Sequence, residues 1–335
     1  MQLLWVGATG GMEQRLIARE GIPFQSIPAA GVHGVGLAAL PGNILRLVQG
    51  VFASQRILRH FRPEVLFFTG GYVAVPMALA GWRIPSLLFV PDIEPGLALR
   101  TLARFADCIA VSVSDGAPSF RRKEKVVPTG YPTREDLSRW ERGQARQHLH
   151  LTDDLPVVLV SGGSRGARSI NDFVLAHLKE LLEQAQVVHI TGELDWPAVQ
   201  SQTGRLASTQ ASRYRAFPYL YEDMGAALAA ADLAISRSGA STLGEYPLFG
   251  LPAILIPYPF AWRYQKVNAE FLVQHGAALL VENRRISAQL LPAIKDLLGH
   301  PDRLASMHAA MLQLAHPKAA AEIGSLLLGL AERRG

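Results

Sequence analysis

The 335-residue chain has a single cysteine, Cys108, and no run of the roughly 18 apolar residues that a bilayer span requires. A disulfide framework is excluded, and a reducing compartment is the expected setting. Cys108 stands in the apolar run Cys108-Ile-Ala-Val111, where a buried, inert thiol is expected. No basic segment precedes Leu3-Leu-Trp-Val6, so no signal peptide is expected and the protein reads as cytoplasmic. None of the ten histidines stands at zinc-site spacing, and there is no G-x-S-x-G elbow. No Gly-Lys-Ser/Thr follows a glycine turn, which disfavours ATP hydrolysis. Neither a metal nor a cofactor is implied. Acidic residues are missing between Glu20 and Glu64, where Arg46, Arg56, Arg59 and Arg62 occur. Residues 1–150 carry 17 Lys/Arg against 11 Asp/Glu, and residues 151–335 carry 16 against 17. The net charge of +5 therefore resides in the first half, and an anionic surface is the expected partner there.

What is present is an alternation of short apolar runs with helix-length segments. The runs are Leu3–Val6, Val65–Phe68, Leu87–Val90, Ile109–Val113, Val157–Val160, Val187–Ile190, Leu233–Ile235, Ile254–Ile256 and Leu279–Val281. Such spacing predicts parallel sheets covered on both faces. The boundary falls near Gly130-Tyr-Pro-Thr133, ahead of the polar segment Arg134–His150. An α/β chain of two doubly wound domains facing a cleft is expected, with ligands at strand ends. The final helix is expected at about Ala319–Arg333, and Asn43–Phe61 reads as a basic amphipathic segment. Packing on its own domain is the default for that segment, with a membrane-surface role as the sharper alternative.

The segment Leu233–Glu245 is the most informative. A buried strand leads into the small-residue turn Ser238-Gly-Ala-Ser241, and Thr242 reads as a helix start with Glu245 in its first turn. Free N–H groups of a first helical turn attract anions. Glu245 suits ribose hydroxyls rather than phosphate, so a nucleotide diphosphate is proposed there. Ser161-Gly-Gly-Ser-Arg-Gly-Ala-Arg-Ser-Ile-Asn171 is a glycine-rich strand–helix turn which alone would read equally as packing. Phe217–Met224 reads singly as a loop entering a helix. Gln265 and Asn268, three apart, share a helix face that suits sugar hydroxyls or plain solvation. Thr69–Pro76 is a further glycine turn, whereas Gly7–Met12 reads as an ordinary strand–helix turn.

Together these segments resemble the MurG family of GT-B transferases, which move N-acetylglucosamine from UDP-N-acetylglucosamine to lipid I at the inner membrane face. The resemblance runs from Leu3 to about Ala278. Ser161–Asn171 is similar to the family's G-G-S-x-G-A-x-x-x-N, His189-Ile-Thr-Gly192 to H-Q-T-G, and Phe217–Met224 to P-F-x-x-D-M. Arg237–Glu245 is similar to R-S/A-G-A-x-T-x-x-E, Gln265–Asn268 to Q-x-x-N, and Thr69–Pro76 to G-G-Y-V-x-x-P. The resemblance implies a GT-B fold: an acceptor and membrane-side domain over 1–133, a UDP-sugar domain over 134–318, and a C-terminal helix over 319–335 packing back on the first domain. It implies donor contacts at Gly162, Gly163, Ser164, Gly166 and Asn171 for the diphosphate loop. Leu220 would lie at the uracil, and Arg237, Ser238, Gly239, Thr242 and Glu245 along the ribose-side loop. Gln265 and Asn268 would meet the sugar, and Gly70, Gly71 and Tyr72 would lie on the acceptor side. The implied partners are a UDP-sugar, a lipid-linked acceptor and an anionic membrane surface, with no nucleic acid. The implied setting is peripheral, on the cytoplasmic face, in peptidoglycan precursor synthesis.

Three departures stand out. Leu3–Phe24 resembles the family's second βα unit, so its opening G-G-T-G-G-H loop has no counterpart here. The family's H-E-Q-N is Phe89-Val-Pro-Asp92, which leaves Asp92 as the candidate base. Gln is replaced by Ile190 and by Tyr264. These departures keep open an impaired sugar-nucleotide-binding protein or subunit, a related glycolipid synthase and a UDP-sugar epimerase.

Overall fold

A computed structural model describes residues 2–10, 13–31, 36, 40–163, 166–204, 206–260 and 264–333. The chain divides into two compact units. The first comprises Met1–Pro91, Pro95–Thr129 and Ala321–Gly335, and the second comprises Asp92–Glu94 and Gly130–Ala320.

In the first unit, β1 (Trp5–Ala8) and β2 (Phe24–Ile27) form a two-stranded parallel sheet. Strands β3 (Leu66–Phe68), β4 (Ser86–Val90), β5 (Cys108–Val111) and β6 (Val126–Pro128) form a separate parallel sheet in that order. Every residue of β4 and β5 is buried, so both faces are covered and the apolar runs need no alternation. Cys108 is a free, buried thiol in β5, and burial raises its pKa.

The helix Leu40–Phe61 packs on its own domain, as expected by default, but not through its larger apolar side chains. Its Ile44, Leu45, Val48 and Phe52 are exposed, Phe52 at 67%, while Gly50 and Ser54 are its buried residues. The reason is close backbone approach: a Cβ at position 50 would overlap the Pro28 carbonyl and press on the Pro76 ring. A small-residue face thus meets the core, and the larger apolar side chains are left outside.

In the second unit, β7 (Val157–Ser161), β8 (Gln186–Ile190), β9 (Tyr214–Phe217), β10 (Leu233–Ser236), β11 (Ala253–Leu255) and β12 (Ala278–Leu280) form one parallel sheet. Its order is β12-β11-β10-β7-β8-β9. Val158, Val160, Leu233, Ile235 and Ile254 are fully buried in one core cluster. Each such side chain contributes about 1.5–3 kcal/mol. Asp232, just before β10, accepts from the Val157 N–H at 2.7 Å and from buried Arg146 at 2.7 Å, so it fixes the starts of two central strands. Among the described residues no helix is long and apolar enough to cross a membrane, and no cluster of three His, Cys, Asp or Glu could hold a metal.

Candidate functional site

Strands β7, β8 and β9 extend to one side of the second sheet, and β10, β11 and β12 to the other. The direction of winding therefore reverses between β7 and β10. In a doubly wound sheet, ligands bind beyond the carboxyl ends of the strands at this reversal. Ser161 pairs in register with Ser236, so the two loops leave the sheet at the same level. Those loops are Gly162–Ala167 and Arg237–Gly244, the two stretches that the sequence singled out.

The first loop is a glycine device. Gly163 and Gly166 lie at φ +80° and +76°, in the left-handed region that favours glycine. A Cβ on Gly162 would overlap the Ala167 backbone, and one on Gly166 would overlap the Thr191 carbonyl. The Gly166 N–H donates to Gly163 O at 2.9 Å, and the Gly163 N–H to Ser161 Oγ at 3.3 Å. These two amides close the turn on itself. The donors left to meet an anion would be the first N–H groups of the helix Arg168–Ala176, which have no intrahelical acceptor. Ser164 lies outside the described residues. Asn171, expected at the ligand, is 1% exposed: its amide donates to Thr191 O and to Asp195 Oδ2, both at 2.8 Å. It holds the loop from beneath, because a side chain one turn into the helix points into the core.

The second loop differs from a simple helix start. A 3-10 turn, Ala240–Leu243, precedes the short helix Glu245–Phe249, so Glu245 opens the helix. Pro247 is tolerated in its first turn, where no intrahelical bond is lost, and Gly250 ends it at φ +59°. The Thr242 hydroxyl donates to Gly239 O at 2.7 Å, and Ser238 Oγ to Gln265 O at 2.7 Å. Arg237 donates to Ile256 O at 3.0 Å, Asn283 Oδ1 at 2.8 Å and Ser169 Oγ at 3.0 Å. It braces the loops after β7, β10 and β11 rather than extending to solvent. Burial pushes the Glu245 carboxyl up to about 6, against Arg134 and a hydrogen bond from Ser241, which favour the charged form.

Asn268 is fully buried on the helix Tyr264–Gln274. Its Nδ2 donates to Asp92 Oδ1 at 2.8 Å and to Ser238 O at 3.3 Å, and its Oδ1 accepts from the Ile93 N–H at 3.2 Å. The amide is thereby committed to clamping Asp92 beside the β10 loop. Gln265 is only partly buried and accepts from the Tyr258 N–H through Oε1 at 2.8 Å. Burial raises the Asp92 pKa, with the Asn268 bond opposing. Tyr131 was not anticipated as a site residue. It packs on Gly244, and burial together with the charges of Glu245 and Asp92 pushes its phenol up to about 12. The Gly130-Tyr-Pro turn was legible only as a boundary. Leu220 is buried, in a loop where Arg134 donates to Tyr221 O at 3.0 Å.

In the first unit, Gly70 and Gly71 lie at φ +110° and +81°, and Tyr72 is 51% exposed with its ring against Gly31. At the Gly7 turn, the Ala8 N–H donates to Glu13 at 3.0 Å, which places a carboxylate where a phosphate loop would need a free donor. Gly11 and Met12 lie outside the described residues.

Two Rossmann-like α/β units with parallel sheets define the GT-B class. The chain matches the glycosyltransferase family 28 N-terminal domain over residues 1–111 and the family 28 C-terminal domain over residues 157–323. It is 38% identical to a Roseiflexus sp. (strain RS-1) protein named UDP-N-acetylglucosamine--N-acetylmuramyl-(pentapeptide) pyrophosphoryl-undecaprenol N-acetylglucosamine transferase, over 99% of this chain and 84% of that protein. The crystal structure of Acinetobacter baumannii MurG superposes with a TM-score of 0.75 at 28% identity, covering 98% of this chain and 91% of the other. A Neisseria meningitidis UDP-GlcNAc 2-epimerase shares the fold, with a TM-score of 0.66 at 14% identity, covering 98% and 91%. The chain belongs to glycosyltransferase family 28.

Proposed function

We propose that this protein is a hexosyltransferase that moves N-acetylglucosamine from UDP-N-acetylglucosamine to a lipid-linked acceptor of the lipid I kind. The observation that carries this reading is the pairing, at the β7–β10 switch point, of a glycine turn opening a helix with a partly buried carboxylate, Glu245. A diphosphate needs the first, and a ribose diol suits the second. The uracil lies by Leu220 and the sugar by Gln265.

The acceptor hydroxyl attacks the anomeric carbon from the face opposite the leaving group. The bond between that carbon and the diphosphate oxygen breaks, and its electron pair leaves with UDP. Backbone donors at the start of the helix Arg168–Ala176 stabilise the growing charge, so no metal is required. The acceptor proton passes to Asp92, whose carboxylate Asn268 holds in place and whose raised pKa makes it a stronger base. A chelator would leave turnover unchanged.

The acceptor is membrane-borne, and the helix Leu40–Phe61 supplies the means to reach it from the cytoplasmic face. Exposed Ile44, Leu45, Val48 and Phe52 lie among exposed Arg46, Arg56 and Arg59. A surface hollow of about 460 Å³ is lined by Phe52, Gln55, Arg56, Arg59 and His60. Apolar side chains beside arginines suit an anionic lipid surface.

The test supplies purified protein with UDP-N-acetylglucosamine and a polyprenyl-diphosphate sugar acceptor. Release of UDP with a new disaccharide lipid is expected. UDP binding without turnover would support a binding subunit. An epimerised donor formed without acceptor would support an epimerase. Either result overturns the transferase reading.

A further inference from the structure

His189 is fully buried near the carboxyl end of β8, one residue before the strand ends. Its two ring nitrogens are both engaged. Nε2 lies 3.0 Å from Asn171 Oδ1, and Nδ1 lies 2.8 Å from the Tyr214 hydroxyl. The direction of each bond follows by elimination. Both amide protons of Asn171 are committed to Thr191 O and Asp195, so its Oδ1 can only accept. Nε2 must therefore carry a proton. Burial depresses the imidazole pKa to about 3, with Asp195 opposing, so the ring is neutral at physiological pH. Nδ1 is then a lone pair and accepts from Tyr214, whose own pKa burial raises, so its O–H stays protonated.

The chain of bonds links two neighbouring strands and a helix. It starts at Tyr214 in β9, passes through His189 in β8, and reaches Asn171 on the helix that follows β7. From Asn171 it forks to the Thr191 carbonyl and to Asp195. Gly166 rests on that same carbonyl, leaving no room for a Cβ. The other oxygen of Asp195 accepts from Arg168, the first residue of the helix, at 3.2 Å. The height of the glycine turn, and of the helical N–H groups beside it, is thus set by a hydrogen-bonded strut whose far end is Tyr214. Geometric errors of about 1 Å in such donors carry large costs in anion binding.

We propose that His189 is a positioning residue for the diphosphate-binding turn: held in one tautomer between Tyr214 and Asn171, it fixes the turn against the Thr191–Asp195 segment. The inference rests on the reading that this turn meets a diphosphate. A merely structural histidine would affect all ligands and the fold alike. A strut beneath the turn affects only ligands with phosphates.

The test compares His189→Gln with His189→Asn. A glutamine amide nitrogen can take the place of Nε2 and still donate to Asn171. An asparagine nitrogen is too short and reaches only toward Tyr214. Affinities for UDP and for uridine are measured by calorimetry and by NMR titration. His189→Asn is expected to weaken UDP about tenfold and uridine less than twofold, and to raise the donor KM with little change in kcat. His189→Gln is expected to restore UDP affinity to within about threefold. UDP and uridine weakened together, or unchanged UDP affinity in His189→Asn, would overturn the role. If His189→Asn does not fold, Tyr214→Phe removes the hydroxyl that fixes the tautomer, and the same selective loss of UDP is expected. Wild-type protein that binds UDP no better than uridine would instead refute the diphosphate assignment itself.

Discussion

Replacing Glu245 by glutamine separates stability from binding. In the folded protein this carboxyl titrates at about 6, against an ordinary value of 4.5, because burial outweighs Arg134 and Ser241. The folded state therefore holds the proton more tightly than the unfolded chain. Below pH 4.5 both states are protonated and the group costs nothing. As pH rises to 6 the unfolded chain ionises first, so stability falls; above 6 the penalty is constant. At about 1.4 kcal/mol for each tenfold displacement, it amounts to about 2 kcal/mol at neutral pH. Glutamine keeps the shape without the charge. Glu245→Gln should raise the Tm of the ligand-free protein at pH 7.5 by up to about 4–8 °C, at 2–4 °C per kcal/mol for a unit of this size. Near pH 4 the difference should vanish. Calorimetric scans across pH 4–8 measure it directly. On the proposed ribose role, the same change would replace a charge-assisted bond by a neutral one, and UDP affinity should fall about 10- to 100-fold. A Tm gain that does not depend on pH, or a loss of stability at pH 7.5, refutes the burial argument. Unchanged UDP affinity refutes the ribose assignment.

Three further outcomes are expected. Asp92→Asn should lower kcat about 10²- to 10⁴-fold with UDP affinity unchanged, and the acid limb of the wild-type kcat profile should lie above 3.8, the ordinary Asp value; steady-state kinetics against pH decide both. Gly166→Ala combines a left-handed φ of +76° with overlap of the Thr191 carbonyl, and should cost at least about 2 kcal/mol in urea denaturation. A loss below about 0.5 kcal/mol would mean that the turn yields easily. Reversal of Arg46, Arg56 and Arg59 to Glu should weaken sedimentation with anionic vesicles by at least about 100-fold at low salt, at about 1 kcal/mol for each arginine lost, and leave neutral vesicles unaffected. Equal binding to anionic vesicles would remove this helix from the membrane reading.

Much of the fold was legible because its signals are local. All nine apolar runs became strands, shifted by a residue or two at their ends, because a buried parallel strand needs only a short apolar run. Three described strands lie outside those runs: Phe24–Ile27, Val126–Pro128 and Tyr214–Phe217. In the first, Gln25 and Ser26 interrupt the apolar pattern, and both are exposed. The glycine turns at 162–166 and 70–71 were legible because positive φ selects glycine over most other residues. The division of the first unit's strands into two sheets was not legible, since the alternation of elements says nothing about which strands pair.

The sequence by itself determined that the chain is α/β and that its second half carries strand–turn–helix loops of a kind suited to an anion, with Glu245 at one of them. Family membership rests on the same local strings. Only the tertiary structure decided that β7 and β10 are neighbours, which turns two separate loops into one site at the reversal of winding. It also decided which polar side chains are spent on internal partners. Asn171 and Asn268 stand in ligand-like motifs, yet both are buried and committed to internal partners. A side chain's partner is set by burial and by the need to satisfy every buried polar atom, and neither is a property of neighbouring residues in the chain. For the same reason the stripe Ile44, Leu45, Val48 and Phe52 lies outside while Gly50 and Ser54 lie inside. Backbone approach decided that face, and hydropathy alone could not have shown it.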